Sequence, residues 1–305
     1  MEIHTLLTST VESFNFRETD LLTIKESFPR YSIKSHKDYD SLLKHPNQVE
    51  FILTWNFLSK HYRRFPNLKA VITPAAGKDW VQTDPDGKIP THYGTFHGEM
   101  IEESLLTALF FMNQNMKQMV ISCRDRNWNR NLQSECRLVK NQTALIIGYG
   151  NIGKRCGTTL KKLGINVMAV TKSEQNICEK EMVFGLDSIR KLLPVSDHVV
   201  LILPGTPDNE GFFDRNLLSC CKQGAFIYNF GRGNTLNSKA LLAEIDHLGG
   251  AFLDVTDEEP LPSKSPLWNS NKIMITPHTS CVYKEYKPLF IDEALNTIKR
   301  FSKRT

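Results

Sequence analysis

Short apolar runs, each the length of a strand buried on both faces, alternate along this chain with segments whose apolar positions return every three or four residues. The runs predict strands at Ile3–Leu7, Val49–Thr54, Leu68–Thr73, Ala144–Ile147, Ile165–Val170, His198–Leu203, Ala225–Asn229, Gly250–Val255 and Ile273–Thr276. Helical spacing predicts an amphipathic helix over Glu18–Phe28. A longer helix is predicted after His97 and Gly98, with Ile101, Leu105, Leu109 and Met112 on one face and Leu106 and Phe110 beside them. It is expected to cross between domains or to pack against a partner chain. Strands and helices in alternation point to an α/β fold built on parallel sheet. Between Lys78 and Gly94 the pattern lapses into a polar, turn-rich stretch with Pro85, Asp86, Gly87 and Pro90.

One strand-turn-helix-strand unit, Thr143–Ser173, carries three glycines in its turn. Gly148, Gly150 and Gly153 have G-x-G-x-x-G spacing between a buried strand and a helix that begins near Asn151, contains Ile152, Leu160 and Leu163, and stops at Gly164. The first glycine permits the tight turn, the second lets backbone approach a pyrophosphate, and the third allows close helix-to-strand contact. A diphosphate would sit at the helix N-terminus, where unpaired N–H groups and the helix dipole favour an anion. An acid about 20 residues past such glycines marks NAD, through the ribose 2′-hydroxyl. Here Thr171, Lys172 and Ser173 end the second strand. An ammonium and two hydroxyls would accept a 2′-phosphate that a carboxylate repels, so the residues point to NADP before NAD.

At 305 residues the chain exceeds the usual size of a single core, and two domains are expected. Hydrophobic residues at 40% against 23% charged describe a soluble globular protein. A net charge of +5 suits anionic ligands, but no basic run is dense enough for nucleic acid. Met1–Thr10 has no basic n-region followed by a long apolar segment, and nowhere do about 18 apolar residues run uninterrupted, so a cytoplasmic chain without membrane association is expected. Seven cysteines without a C-x-x-C pair form neither a disulfide framework nor a zinc pattern, and no metal is expected. Cys220 and Cys221 read as small apolar residues ending a helix entered near Asp214.

Ligands of open α/β sheets collect at the carboxyl ends of strands. There the chain places Pro74-Ala75-Ala76-Gly77-Lys78-Asp79, Pro204-Gly205-Thr206, Phe230-Gly231-Arg232-Gly233, Asp254 with the acidic cluster Asp257–Glu259, and Pro277-His278. A guanidinium rising from a glycine-flanked strand end is costly to bury without an anion. A histidine alone would be unremarked; with an arginine and acids on the same edge it becomes a candidate for proton transfer.

Five ordered segments, IIGYGNIG, LPGTPDNEG, NFGRGNTLNSKALL, GAFLDVTDEEPLP and SPLWNSNKIMITPHTS, resemble those of the D-isomer-specific 2-hydroxyacid dehydrogenases. The resemblance is strong over Leu138–Ser280 and holds by pattern alone over the preceding hundred residues. It implies a Rossmann-type doubly wound parallel sheet over residues 101–280 and a second, smaller flavodoxin-like α/β substrate domain formed by residues 1–100 and 281–305, with a homodimer as the expected assembly. By the same resemblance Arg232 binds the substrate carboxylate and carbonyl, His278 is the acid-base and Glu259 holds it. The cofactor would meet Gly148, Gly150, Asn151, Ile152, Gly153, Thr171, Lys172, Ser173, Pro204, Asn209, Phe230, Gly231, Arg232, Asp254 and His278, with Asp254 beside the nicotinamide carboxamide. Substrate contacts would come from Ala76, Gly77, Lys78, Arg232 and His278. Three positions depart from the family: Asn237 stands where aspartate is usual, Asn209 where threonine is usual, and Lys78 where an apolar residue is usual.

Reduction of a 2-keto acid needs a hydride at the carbonyl carbon, a proton for its oxygen and a clamp on its carboxylate. Arg232 supplies the clamp, His278 the proton, and Glu259 the charge that favours an imidazolium. The expected activity is hydride transfer between NADP, or NAD, and a small 2-keto acid or D-2-hydroxy acid, of the glyoxylate/hydroxypyruvate reductase type. Rival readings are a nucleotide-binding sensor or corepressor on the same fold and a phosphite-type dehydrogenase; an intact Arg232, Glu259 and His278 argues against the sensor.

Overall fold

The computed structural model describes residues 1–134, 136–173, 177–178 and 182–302. The chain divides into two compact units: Met1–His97 with Cys281–Thr305, and Gly98–Ser280.

The first unit is a five-stranded parallel sheet in the order β2-β1-β3-β4-β5, with β1 Glu2–Leu6, β2 Ser32–Ser35, β3 Val49–Thr54, β4 Ala70–Thr73 and β5 Thr91–Tyr93. This is the flavodoxin-like order. The apolar runs of β3 and β4 are buried on both faces, as parallel strands between helical layers must be. Phe57, Tyr62, Phe65 and Leu42 close one face of the core. On the helix Tyr286–Ser302, Tyr286, Phe290, Ile291, Ala294, Thr297 and Ile298 recur at helical spacing and are buried. Phe290 meets Phe16 edge-on at 5.2 Å, and Tyr286 donates to the Pro74 carbonyl at 3.0 Å.

Two strands of this sheet lie outside the sequence expectation. β5 falls inside the stretch read as turn, and β2 has no apolar run; both are short and border the sheet, where half-exposed polar residues such as Thr91 and His92 suffice. The turn before β5 is held by Asp84, whose carboxylate accepts the N–H groups of Asp86, Lys88 and Ile89. The helix predicted over Glu18–Phe28 is a 3-10 turn, Glu18–Leu21, followed by an α-helix, Leu22–Ser27.

The second unit is a seven-stranded parallel sheet, ordered β12-β11-β10-β9-β6-β7-β8, with β6 Thr143–Ile147, β7 Asn166–Val170, β8 Val183–Phe184, β9 His198–Leu201, β10 Phe226–Asn229, β11 Gly250–Leu253 and β12 Ile273–Ile275. Sequence order runs outward from β6 through β7 to β8, then resumes at β9 on the other side of β6. This reversal is the switch point of a doubly wound, Rossmann-type sheet, where ligands bind beyond the carboxyl ends of the strands. Leu145, Ile147, Val199, Leu201, Ile227 and Leu253 make a continuous core. The helix Asn151–Lys162 turns Gly153, Cys156, Gly157 and Leu160 inward. Ile101, Leu105 and Leu109 of the long helix His97–Asn113 are buried, whereas Met112 is half-buried and Phe110 exposed. Asp214 caps the helix Arg215–Leu218, and Cys220 and Cys221 follow directly after it, unpaired. Among the described residues no helix is long and apolar enough to cross a membrane.

Candidate active site

The glycine turn leaves β6 at the switch point. Gly148 has φ 102, a conformation that side chains resist, and a Cβ there would strike the Ile202 carbonyl at the end of β9. A Cβ on Gly153 would strike the Gly148 carbonyl. Gly150 differs from both: it is the N-cap of the helix Asn151–Lys162, no side chain caps that end, and nothing lies within 4 Å of where its Cβ would be. A helix start at Asn151 and Ile152 that no side chain caps, with open space beside Gly150, fits a diphosphate. The residues present therefore suit a dinucleotide.

At the end of β7, Thr171 is buried; its N–H bonds the Phe184 carbonyl at 3.0 Å and its hydroxyl accepts the Ser173 N–H at 3.2 Å. Lys172 and Ser173 are exposed. After β9, Pro204 is exposed and Asn209 is buried, its amide donating to the Pro204 carbonyl at 2.9 Å. Asn209 thus braces the loop from within.

Arg232 rises after β10 on a turn that only glycines could flank. A Cβ on Gly231 would meet Leu203 backbone at 2.5–2.6 Å, and one on Gly233 would meet the Thr256 carbonyl. Asn229 accepts the Gly231 N–H at 3.2 Å and donates to the Arg232 carbonyl at 3.3 Å, and the Thr235 hydroxyl donates to the same carbonyl at 2.7 Å. Phe230 is buried and stacks on Phe252 at 5.8 Å. Asn237, the family's usual aspartate, caps the helix Ser238–Glu244 by accepting the Ala240 N–H at 2.9 Å. Asparagine and aspartate do that equally well.

Asp254, after β11, is 2% exposed. Its carboxylate accepts the Thr276 hydroxyl at 2.7 Å, the Thr279 N–H at 2.8 Å and the Ser280 N–H at 3.1 Å, while its carbonyl accepts the His278 N–H at 2.8 Å. These bonds fasten the turn in which His278 adopts φ 53, a left-handed conformation costing about 1–3 kcal/mol. The turn presents the imidazole to Glu259: Nδ1 lies 2.9 Å from Oε2, with His278 41% and Glu259 38% exposed. Burial tends to raise the Glu259 carboxyl, but the His278 hydrogen bond and charge, the Thr256 N–H at 3.1 Å and the Arg232 guanidinium outweigh it, and the carboxyl lies below its ordinary range. Arg232, Glu259 and His278 are thereby brought together on one sheet edge.

Ala76, Gly77 and Lys78 belong to the first unit, just beyond β4. Ala76 is exposed, and the Lys78 ammonium rests over the Tyr93 ring at 5.8 Å. Asn229, Thr235, Thr256 and Thr276 hold the site through hydrogen bonds; Asn229 and Thr276 are expected from the sequence only as strand ends, and Thr235 and Thr256 carry no expectation. A polar residue closing an apolar run marks Asn229 and Thr276; Thr235 and Thr256 lie in turns beyond their strands and have no such mark.

The family model for the NAD binding domain of the D-isomer specific 2-hydroxyacid dehydrogenases matches residues 106–280. A glycerate dehydrogenase of Methylorubrum extorquens is 25% identical over 252 residues, 78% of this chain and 77% of that protein. A glyoxylate/hydroxypyruvate reductase A of Salmonella typhi is 31% identical over 160 residues, 52% of this chain and 51% of its own. The chain spans about half the length of several of the curated relatives it matches. Among solved structures, a D-isomer specific 2-hydroxyacid dehydrogenase of Xanthobacter autotrophicus, in complex with NADPH and MES, shares the fold with a TM-score of 0.83 at 23% identity, over 99% of this chain and 94% of that one.

The depressed Glu259 carboxyl sets a pH dependence. Its contact with His278 stabilises fully above the ordinary value of 4.5 and is lost as pH falls through the lower, folded value. Denaturation of Glu259→Gln beside the unmodified protein should therefore show a stability gap at neutral pH that closes in acid; a gap independent of pH would refute the contact.

Proposed function

The chain belongs to the D-isomer specific 2-hydroxyacid dehydrogenase family, and from that premise we propose that it transfers a hydride between NADP(H) and a small 2-keto acid or its D-2-hydroxy acid, in the manner of a glyoxylate/hydroxypyruvate reductase. The observation that carries this reading is the 2.9 Å contact between His278 Nδ1 and Glu259, with Arg232 beside it. The carboxylate fixes the proton on Nδ1 and leaves Nε2 to give or take the proton at the substrate oxygen. Arg232, with its planar fork, holds the substrate carboxylate and polarises the carbonyl. The nicotinamide supplies the hydride. Asp254, already committed to the 276–280 turn, acts by fixing where His278 stands. Ala76, Gly77 and Lys78 are carried as substrate contacts on the resemblance.

Turnover of glyoxylate and hydroxypyruvate with NADPH tests the reading. His278→Ala should keep fold and cofactor binding while losing at least about 100-fold in turnover, the share of a general acid; near-normal turnover would remove His278 from that role.

The exposed ammonium of Lys172 and the hydroxyls of Thr171 and Ser173 favour a 2′-phosphate. NADPH should exceed NADH in kcat/KM by roughly ten- to a hundredfold, and Thr171→Asp, which keeps an acceptor for the Ser173 N–H but adds a negative charge, should reverse the order. Equal use of both cofactors would refute the assignment.

A homodimer is the proposed assembly. The helix Met116–Arg124 buries none of its residues, and Met116, Val120, Trp128 (87% exposed) and Leu138 leave apolar surface in one stretch of chain. Sedimentation should report two chains, and Val120→Glu should shift the equilibrium toward one; a monomer at all concentrations would overturn the proposal.

A further inference from the structure

Outside the residues assigned to chemistry, the first unit holds two histidines in direct contact. His4, in β1, is fully buried, with Nε2 2.8 Å from Glu2 Oε2 and Nδ1 3.0 Å from Nε2 of His36. The rings lie 4.6 Å apart. His36 directly follows β2, and its Nδ1 is 3.3 Å from Oγ of Ser41 in the short helix Tyr39–Leu42. The Ser41 Oγ also lies 2.9 Å from the Asp38 carbonyl. One polar chain therefore joins an inner strand, the bordering strand and a helix.

Counting protons along it leaves two complete arrangements. If the Ser41 hydroxyl donates to His36 Nδ1, then His36 donates from Nε2 to His4 Nδ1, His4 donates from Nε2 to Glu2, and both rings are neutral. If the hydroxyl turns to the Asp38 carbonyl, His36 donates from Nδ1 to Ser41 and accepts at Nε2 from His4. His4 then donates from both nitrogens and is an imidazolium paired with Glu2. The two states share heavy-atom positions and differ by one proton. A second proton would set two N–H groups against each other across 3.0 Å with no acceptor between them.

The surrounding charges do not relieve that state. The Glu2 carboxylate is shared with Lys34 at 2.6 Å, His45 adds a like charge when protonated, Asp38 favours only the His36 side, and β3 offers Ile52 beside His4. We propose that Glu2, His4, His36 and Ser41 form a one-proton clasp that holds β2 and the following helix against β1 and releases them when a second proton arrives.

Burial holds both histidines below their ordinary 6.5, so an opened clasp binds protons that the closed one refuses. The contact is thus intact at neutral pH and weakens as pH falls below that value; the depressed Glu2 carboxyl adds its own loss below about 4.5. Hydrogen exchange on the full chain from about pH 7 to about pH 5 reads this directly. Protection factors of the Ser32–Ser35 amides should fall by up to about tenfold per pH unit, one proton's worth, while those of Val199–Leu201 in β9 stay level. In His36→Gln the amide oxygen accepts from a protonated His4, and the fall should vanish. Ser41→Ala removes the acceptor that the one-proton state needs, and its fall should begin at higher pH. Level protection of 32–35 in the unmodified chain, or an unchanged slope in His36→Gln, would overturn the clasp.

Discussion

The carboxylate of Asp254 is the constraint on which the placement of His278 depends. A histidine in a left-handed turn at the end of a border strand has no reason of its own to stay there, since the conformation is costly for any residue with a side chain. Three donors from residues 276–280 converge on one buried carboxylate and offset that cost. The imidazole can then meet Glu259, and the same buried charge is satisfied by the bonds that position its neighbour. The placement of His278 and the local stability of its turn are here one set of hydrogen bonds.

Arg232 is held by a different means. Its turn is wedged between the Leu203 backbone and the Thr256 carbonyl, where any Cβ on Gly231 or Gly233 would collide. Close backbone packing carries the arginine stem, and the side chains of Asn229 and Thr235 secure its carbonyl. The G-R-G spelling is a steric requirement imposed by two neighbouring strand ends, independent of what the guanidinium binds.

Much of this was legible before the fold. The glycine turn and the strand runs announce themselves by local pattern, because a buried parallel strand needs an unbroken apolar run and a phosphate turn needs glycine; Arg232 and His278 stand out as polar residues at strand ends, and Glu259 is singled out of its acidic cluster by the family resemblance. Border strands β2 and β5 did not, since half-exposed strands lack an apolar signature. The resemblance implies a cofactor contact for Asn209 and a place beside the nicotinamide for Asp254; in the structure Asn209 is buried and braces its own loop, and the Asp254 carboxylate holds the His278 turn. The Asp254 role depends on partners 22 to 26 residues away in sequence, whereas Asn209 reaches back only to Pro204; neither partner is set by the period of apolar positions. Thr276 reaches Asp254 across 22 residues, while Thr256 bonds Glu258 and Glu259 within its own turn.

The histidines show how strand direction decides chemistry for one residue type. His198 opens β9 at the amino edge of the sheet, wholly buried, with Nε2 donating to Gln142 at 2.6 Å and Nδ1 accepting from Tyr228 at 3.0 Å. Burial pushes it down to about 4, so at neutral pH it is a neutral spacer with both nitrogens occupied. His278 follows β12 at the opposite edge, half exposed, with one nitrogen on a carboxylate. Because every strand in the sheet is parallel, all carboxyl ends share one rim, and Arg232, Glu259 and His278 meet there although they come from three separate strand ends. A histidine at the start of a strand is drawn into the other rim's network, with Gln142 and Asn113, and leaves the charge-bearing edge to His278.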